Sequence, residues 1–273
     1  MYLAIDIGGT KTFVALLDSS GAIQQQLRIP TPKTYSVFIS KLEDSVAYLS
    51  TNKFTAVCVG VPGRIDRKRG IGVGMGNLPW LNVPIYEDVS RITRTRKVVL
   101  ENDAKLAGLS EAILVKDQYS KVLYITIGTG IGTALIADQE IVVLMQDAEG
   151  GKILLEYEGK LQEWEDFASG KAILKRYGKP ASEITDEKSW HNISRGIALG
   201  LLDQIAILQP EAVIIGGGVG VYLEKFKAPL EKQLKHYETP LIPIPPILKA
   251  QRPEDAVIYG CYYHAKKTYG TAN

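Results

Sequence analysis

Apolar positions along the chain cluster in two stretches that copy one another. Residues 3–18 read Leu-Ala-Ile-Asp-Ile-Gly-Gly-Thr-Lys-Thr-Phe-Val-Ala-Leu-Leu-Asp, and residues 123–138 read Leu-Tyr-Ile-Thr-Ile-Gly-Thr-Gly-Ile-Gly-Thr-Ala-Leu-Ile-Ala-Asp. Setting Ile5 on Ile125 aligns Ile7 with Ile127, Gly8 with Gly128, Leu16 with Ile136 and Asp18 with Asp138. Each copy is a β-prone apolar run, a Gly/Thr turn and a second apolar run, which predicts strand–turn–strand. Glycine turns let backbone N–H groups converge on an anion with no Cβ in the way. Two of them facing each other would clamp a phosphate between two half-molecules.

The same patterning divides the rest of the chain. After a third strand near Ala22–Ile29, apolar residues at Phe38, Leu42, Val46 and Leu49 fall on one face of a predicted helix over Tyr35–Leu49. Ala56–Val61 is a wholly apolar strand. The run Gly70–Gly76 holds four glycines in seven residues, which predicts neither a stable helix nor a central strand. A helix near Pro84–Ile92, a strand over Lys97–Leu100 and a helix over Ala104–Leu114 complete the first half. Beyond the repeated hairpin come a short strand near Glu140–Leu144 and an aperiodic stretch over residues 148–163. A helix over Trp164–Tyr177 and a long one over Lys188–Leu208 follow, then a strand at Ala212–Ile215 and a helix near Tyr222–Tyr237. Residues 239–246 carry four prolines and cannot be helical, and a last helix covers Glu254–Lys267. Antiparallel strands followed by a helix and a returning strand predict an α/β class with mixed sheets. The expected lobes are residues 1–119 and 120–273, with the last helix able to pack back on the first.

Composition narrows the function classes. The 273 residues carry 32 basic and 30 acidic side chains, for a net charge of +2, so bulk charge makes no case for nucleic acid. Hydrophobic and charged fractions of 45% and 23% are those of a soluble globular protein. No apolar run approaches the roughly 20 residues of a membrane span. The first strand begins at once, so a leader is not expected and a cytoplasmic setting is. Cys58 and Cys261 lie far apart in apolar surroundings and read as small core residues. The three histidines share no metal-ligand spacing.

Candidate chemistry centres on a few residues, each with two readings. Asp6, in an apolar strand directly before Gly8-Gly9-Thr10-Lys11, is either a water-mediated Mg²⁺ partner beside a phosphate or a strand-end acid bonded to backbone N–H groups. Lys11 would offset phosphate charge, or be an exposed turn lysine. Asp103 opens a helix just past a strand, where ligands meet the carboxyl ends of α/β strands. It could equally cap that helix, unless Asn102 does so. Trp80 and Trp164 could stack on a sugar or close the cores. Glu149 and Glu165 could be simply solvated. The run Gly128-Thr-Gly-Ile-Gly132 leads into a strand rather than a helix, which argues against dinucleotide binding. The turn Gly216-Gly217-Gly218 does sit between strand and helix, where a nucleotide's adenosine or phosphates could rest.

Taken together, these motifs resemble the ROK family of repressors, open reading frames and sugar kinases. Asp6–Lys11 resembles its first phosphate loop, and Gly128–Gly132, with Thr129 and Gly130, its second. Gly216–Val219 resembles the adenosine loop. Gly60–Gly63, Asn77–Trp80 and Glu101–Ala104 are similar to its sugar-side motifs. The resemblance implies an actin-like ATPase (ribonuclease H-like) fold whose lobes close over ATP, Mg²⁺ and a hexose. It implies Asp103 as catalytic base and Gly63, Asn77, Asn102, Glu149, Lys152 and Glu165 around the sugar. The expected reaction is transfer to the 6-hydroxyl of glucose or a close relative. Alternatives are mannose, fructose or an N-acetylated amino sugar as acceptor, polyphosphate as donor, or a non-catalytic sugar- or nucleotide-binding protein. Where the family has a histidine and then a Cys-rich zinc loop, this chain has Glu149-Gly-Gly-Lys152 and no cysteine before Cys261, so no zinc site is expected. Lysine offers donors but no acceptor, which could shift sugar preference. A homodimer is implied only by resemblance, and a repressor's DNA-binding domain would precede residue 1.

Overall fold

The computed structural model describes residues 1–270 and divides into two compact units. The first comprises Met1–Ser110 with the C-terminal segment from Glu254, the second Glu111–Pro253. The division falls inside a helix rather than near residue 120, where the sequence break marks only the start of the second hairpin. In chain order the first unit contains β1 (Tyr2–Ile7), β2 (Lys11–Leu17), β3 (Ile23–Pro30), α1 (Tyr35–Ala47), β4 (Ala56–Val61), β5 (Arg64–Asp66), β6 (Ile71–Met75), β7 (Leu78–Val83), α2 (Ile85–Thr93) and β8 (Val98–Asn102). Helix α3 (Asp103–Leu114) crosses the division. The second unit continues with β9 (Lys121–Ile127), β10 (Ile131–Ala137), β11 (Glu140–Ile141), β12 (Leu154–Tyr157), β13 (Lys160–Glu163), α4 (Trp164–Ala168), α5 (Gly170–Tyr177), α6 (Glu187–Leu208), β14 (Ala212–Gly216), α7 (Gly217–Gly220), α8 (Leu223–Lys235) and β15 (Ile247–Lys249). Helix α9 (Ala256–Tyr269) belongs to the first.

The repeat read from the sequence becomes a repeated sheet. The first sheet has the order β3-β2-β1-β4-β8 and the second β11-β10-β9-β14-β15. In each, a hairpin pairs antiparallel and the two strands beyond it add in parallel. The central strands are buried on both faces, which explains their unbroken apolar runs. Leu3, Ile5, Val57, Phe38 and Leu42 form one side of the first unit's core. Tyr2, Ala4, Cys58, Ile258, Cys261 and Tyr262 form the other, where α9 docks. In the second unit Trp164, Trp190, Ile197, Leu201 and Phe226 pack against β9 and β14. Trp80 and Trp164 are both core residues, 3% and 0% exposed. No helix among the described residues is long and apolar enough to cross a membrane.

Three local expectations are corrected. The glycine-rich run 70–76 does form a central strand, β6, between β5 and β7 of a small sheet. Register shifts at Arg64/Ile65 and Gly74/Met75 bend that sheet, and Gly72 is closely packed, since a Cβ there would lie 2.5 Å from the Met75 methyl and displace it. The aperiodic stretch 148–163 contains the hairpin β12–β13, turned by Glu158 and Gly159 at φ of 54° and 77°. Positive φ at both central residues is the tight hairpin turn that Glu-Gly permits. The helix expected over 164–177 breaks at Ser169, whose hydroxyl caps α5 by accepting from the Ala172 N–H at 3.2 Å.

Helix α9 approaches α3 through Gly260, where a Cβ would lie 2.0 Å from the Leu106 carbonyl oxygen. Backbone cannot yield as a side chain can, so Gly260→Ala is expected to destabilise the first unit by about 2 kcal/mol despite alanine's higher helix propensity. Chemical denaturation checks this; an unchanged or raised midpoint contradicts the packing.

Candidate functional site

In the first unit, three parallel strands bring acidic groups to one edge of the sheet. The register sets Asp6 of β1 opposite Gly60 of β4, and Gly60 opposite Glu101 of β8. Asp103 lies two residues past Glu101, at the start of α3. The Asp6 side chain is partly accessible. Desolvation first, and the negative charge of Asp103 second, push its carboxyl up to about 7. Two acids therefore sit close enough to repel at the mouth of the first glycine turn.

That turn is built by backbone and by one lysine. The Gly8 N–H donates to the Lys11 carbonyl at 3.0 Å, and the Thr31 N–H to the Thr10 carbonyl at 2.9 Å. Lys33 Nζ donates to the carbonyls of Asn77 at 3.2 Å and Gly9 at 3.5 Å. Trp80 Nε1 holds the Lys33 carbonyl at 2.8 Å, so a core aromatic fixes the lysine's backbone. Asn77 is exposed beside Gly9, and Thr10 and Lys11 face solvent. Sequence reasoning passed over Lys33, which stands as an isolated lysine in a Pro/Thr segment with no pattern to mark it.

Asn102 is the capping residue of α3. Its Oδ1 accepts from the Lys105 N–H at 3.2 Å, and its Nδ2 donates to the Gly63 carbonyl at 3.2 Å. The Asp103 carboxylate accepts from the Ala104 N–H at 2.7 Å. Glu101 is 3% exposed and forms a two-point ion pair with Arg67, one contact being Nε to Oε2 at 3.0 Å and the other Nη2 to Oε1. Glu101 Oε1 also accepts from the Asn102 N–H at 2.7 Å. In the sequence Arg67 is one member of the basic run Arg64-Ile-Asp-Arg67-Lys68-Arg69, yet in space it neutralises a buried carboxylate next in sequence to Asn102.

In the second unit the other glycine turn has different supports. The Gly128 N–H donates to the Gly130 carbonyl at 2.9 Å, and Gly170, at the start of α5, donates to the Gly128 carbonyl at 2.7 Å. Glu165 Oε2 accepts from the Ile131 N–H at 3.1 Å, while its Oε1 accepts from Lys152 Nζ at 2.6 Å. Lys152 also reaches Glu163 Oε2 at 2.7 Å. These pairs, Glu163 first and Glu165 second, raise the lysine's pKa and keep it an ammonium. Thr129 is exposed at the tip, and the turn Gly216–Gly218 lies against the end of β9, where a Cβ on Gly217 would meet Thr126 and Ile127. Glu149 is exposed, and its carbonyl accepts from the Lys152 N–H at 2.9 Å. Thus Asp6, the first turn, Gly63, Asn77, Asn102 and Asp103 gather in one unit. Thr129, Gly130, Lys152, Glu165 and the Gly216 turn gather in the other, with the Glu149 side chain turned to solvent.

Two sheets of like topology, each led by a strand–glycine turn–strand unit, define the actin-like ATPase fold. Within that fold the ROK family model matches residues 2–268, and the chain belongs to the ROK family. It is 26% identical to a glucokinase of Streptomyces coelicolor, over 86% of this chain and 87% of that protein. It is 27% identical to an N-acetyl-D-glucosamine kinase of Haemophilus influenzae, over 95% of this chain and 97% of that one. A crystal structure of a ROK family glucokinase from Streptomyces griseus, in complex with glucose and AMPPNP, superposes with a TM-score of 0.79 at 25% identity, covering 97% of this chain and 99% of that one.

Two predictions follow from these charges. Removing Arg67 leaves Glu101 buried and uncompensated, so Arg67→Met should lower stability by about 3 kcal/mol in urea unfolding; a loss near zero contradicts the pairing. Asp6 binds its proton more tightly folded than unfolded. Its contribution therefore becomes less favourable as pH rises from about 4, the unfolded value, to about 7, the folded one. In chelator, wild type should lose stability relative to Asp6→Asn across that window, and parallel pH profiles contradict it.

Proposed function

We propose that this chain is an ATP-dependent sugar kinase that phosphorylates a hexose, glucose or a close relative, at the 6-hydroxyl, with Asp103 as general base. The observation that carries this reading is the Asp6–Asp103 pair at the carboxyl edge of the first sheet, beside a glycine turn. Membership of the ROK family supports it, as does the similarity to a glucokinase that binds glucose and AMPPNP.

The residues present fit a metal–polyphosphate. Two mutually repelling carboxylates, one with its pKa raised to about 7, suit a divalent cation. No group of three or more His, Cys, Asp or Glu side chains able to hold a metal occurs among the described residues. Mg²⁺ is a divalent cation that keeps several waters and takes its remaining oxygens from phosphate. Bound ATP with Mg²⁺ would supply the transferable phosphoryl group and the charge that neutralises it. Asp6 would hold the metal through water. The turns Gly8–Lys11 and Gly128–Gly130, with Thr129, would offer backbone N–H groups to the phosphates, and Lys11 a positive charge. Gly216–Gly218 would bear on the adenosine.

On the acceptor side, Asn77, Asn102, Gly63, Glu149, Lys152 and Glu165 would bind sugar hydroxyls. Asn102 and Gly63 are already tied to each other, so the acceptor would meet a preformed surface. Asp103 would accept the proton of the attacking sugar hydroxyl as the hydroxyl oxygen forms the new bond to the γ-phosphorus and the bond from that phosphorus to the bridging oxygen breaks, with ADP leaving. Because Asn102 caps α3, Asp103 is not needed as its cap.

That division of labour sets the test. Asp103→Ala should lower kcat by about 10²–10⁴ while leaving the fold and nucleotide binding intact. A coupled ADP-release assay over glucose, mannose, fructose and N-acetylated amino sugars, repeated with polyphosphate, measures it. Full activity in the variant, with only a lower melting point, makes Asp103 a structural acid. No turnover of any sugar with either donor leaves a binding protein instead.

A further inference from the structure

Lys152 is held in a way that ordinary surface lysines are not. Its ammonium carries three N–H donors, and Glu163 and Glu165 take two of them at 2.7 and 2.6 Å. The side chain stays half exposed, leaving the third donor open. Glu163 arrives by way of the hairpin, whose register sets it opposite Leu154, two residues beyond Lys152. Glu165 is anchored at its other oxygen by the Ile131 N–H, at the end of the second glycine turn. The chain of contacts therefore runs Glu163, Lys152, Glu165 and turn backbone.

Stability gives little reason for such an arrangement. Exposed ion pairs contribute little to stability, and fixing a long lysine side chain opposes even that. What two carboxylates do accomplish is direction: they remove the freedom of a flexible four-carbon stem and aim one N–H.

We propose that Glu163 is a positioning residue for the acceptor site: through Lys152 it fixes a single N–H donor toward a lone-pair oxygen of a neutral sugar. This rests on the reading above that Lys152 and Glu165 line the sugar pocket. Lysine at this place donates and never accepts, so the ligand atom facing it is an ether, hydroxyl or carbonyl oxygen acting as acceptor. The trio of Lys152, Glu163 and Glu165 carries a formal charge of −1, so it offers no net attraction to a sugar acid or sugar phosphate. The ligand class is therefore the uncharged hexose.

The experiment uses the full-length protein, with glucose and MgATP in steady state and glucose alone in calorimetric titration. Glu163→Gln keeps the shape and removes the charge. It is expected to raise the glucose KM and the calorimetric Kd about five- to tenfold, with a smaller change in kcat and none in the ATP KM. Lys152→His supplies a second readout. Wild-type glucose affinity should be flat from roughly pH 6 to 9, whereas the variant's should vary across the imidazole range near 6.5. A residue that merely braced the hairpin would shift the melting temperature and neither of these.

The proposal is overturned if Glu163→Gln binds glucose as wild type does, or if ATP and glucose constants change together. If wild type turns over no sugar, the kinase reading fails, while the comparison of glucose Kd values still decides the role of Glu163. If wild type binds no neutral hexose at all, both are overturned.

Discussion

At the carboxyl edge of the first sheet, the buried carboxyl of Asp6 meets the like charge of Asp103. Asp6 lies within the β1–β4 ladder, Asp103 begins the helix that follows β8, and burial together with the charge of Asp103 makes Asp6 harder to ionise. The first glycine turn, braced by Lys33, and the Arg67–Glu101 pair, braced by β8, belong to the same edge of the unit. Arg67 is committed to Glu101 by two contacts, and Lys33 to two carbonyls. An arrangement of this kind is unfavourable for an empty protein and favourable for one that binds a cation. That asymmetry is what would tie this fold to the proposed function.

The repeated sheet explains how such an edge is produced twice with different chemistry. In both units a hairpin leads and two parallel strands follow, so both glycine turns emerge at the equivalent end of equivalent sheets. The supports then diverge. The first turn is held by a lysine reaching two carbonyls, the second by the Glu165 carboxylate and the Gly170 N–H. One unit carries the paired acids, the other an ion-paired lysine. The scaffold is shared, and the side chains on it differ.

Much of this was legible in the sequence because it depends on local rules. Strands with unbroken apolar runs, such as Ala56–Val61, fall where the pattern puts them, since burial on both faces demands it. The equivalence of residues 3–18 and 123–138 anticipated the shared topology. What escaped were features whose cause is tertiary. Strand β6 holds Gly72 and Gly74 because pairing with β5 and β7 on either side fixes its backbone, and at Gly72 the Met75 and Ile85 side chains take the space of a Cβ. The helix after Trp164 breaks because Ser169 finds a capping role. The β12–β13 hairpin did have a local signal, the Glu158-Gly159 pair between alternating residues, which acidic composition masked. Arg67 and Glu163 could not be read at all, because a charge run looks the same whether or not one member folds onto a buried or bridging partner.

In the proposed function, Asp6 is held short of positive charge until a metal-bearing phosphate arrives. Calorimetric titration of wild type and Asp6→Asn with a nonhydrolysable ATP analogue and Mg²⁺, near pH 6.5 in buffers of different ionisation enthalpy, tests it directly. With the free carboxyl titrating at about 7, binding should release a large part of one proton from wild type and none from the variant. Equal proton release from the two proteins, or none from either, would contradict it.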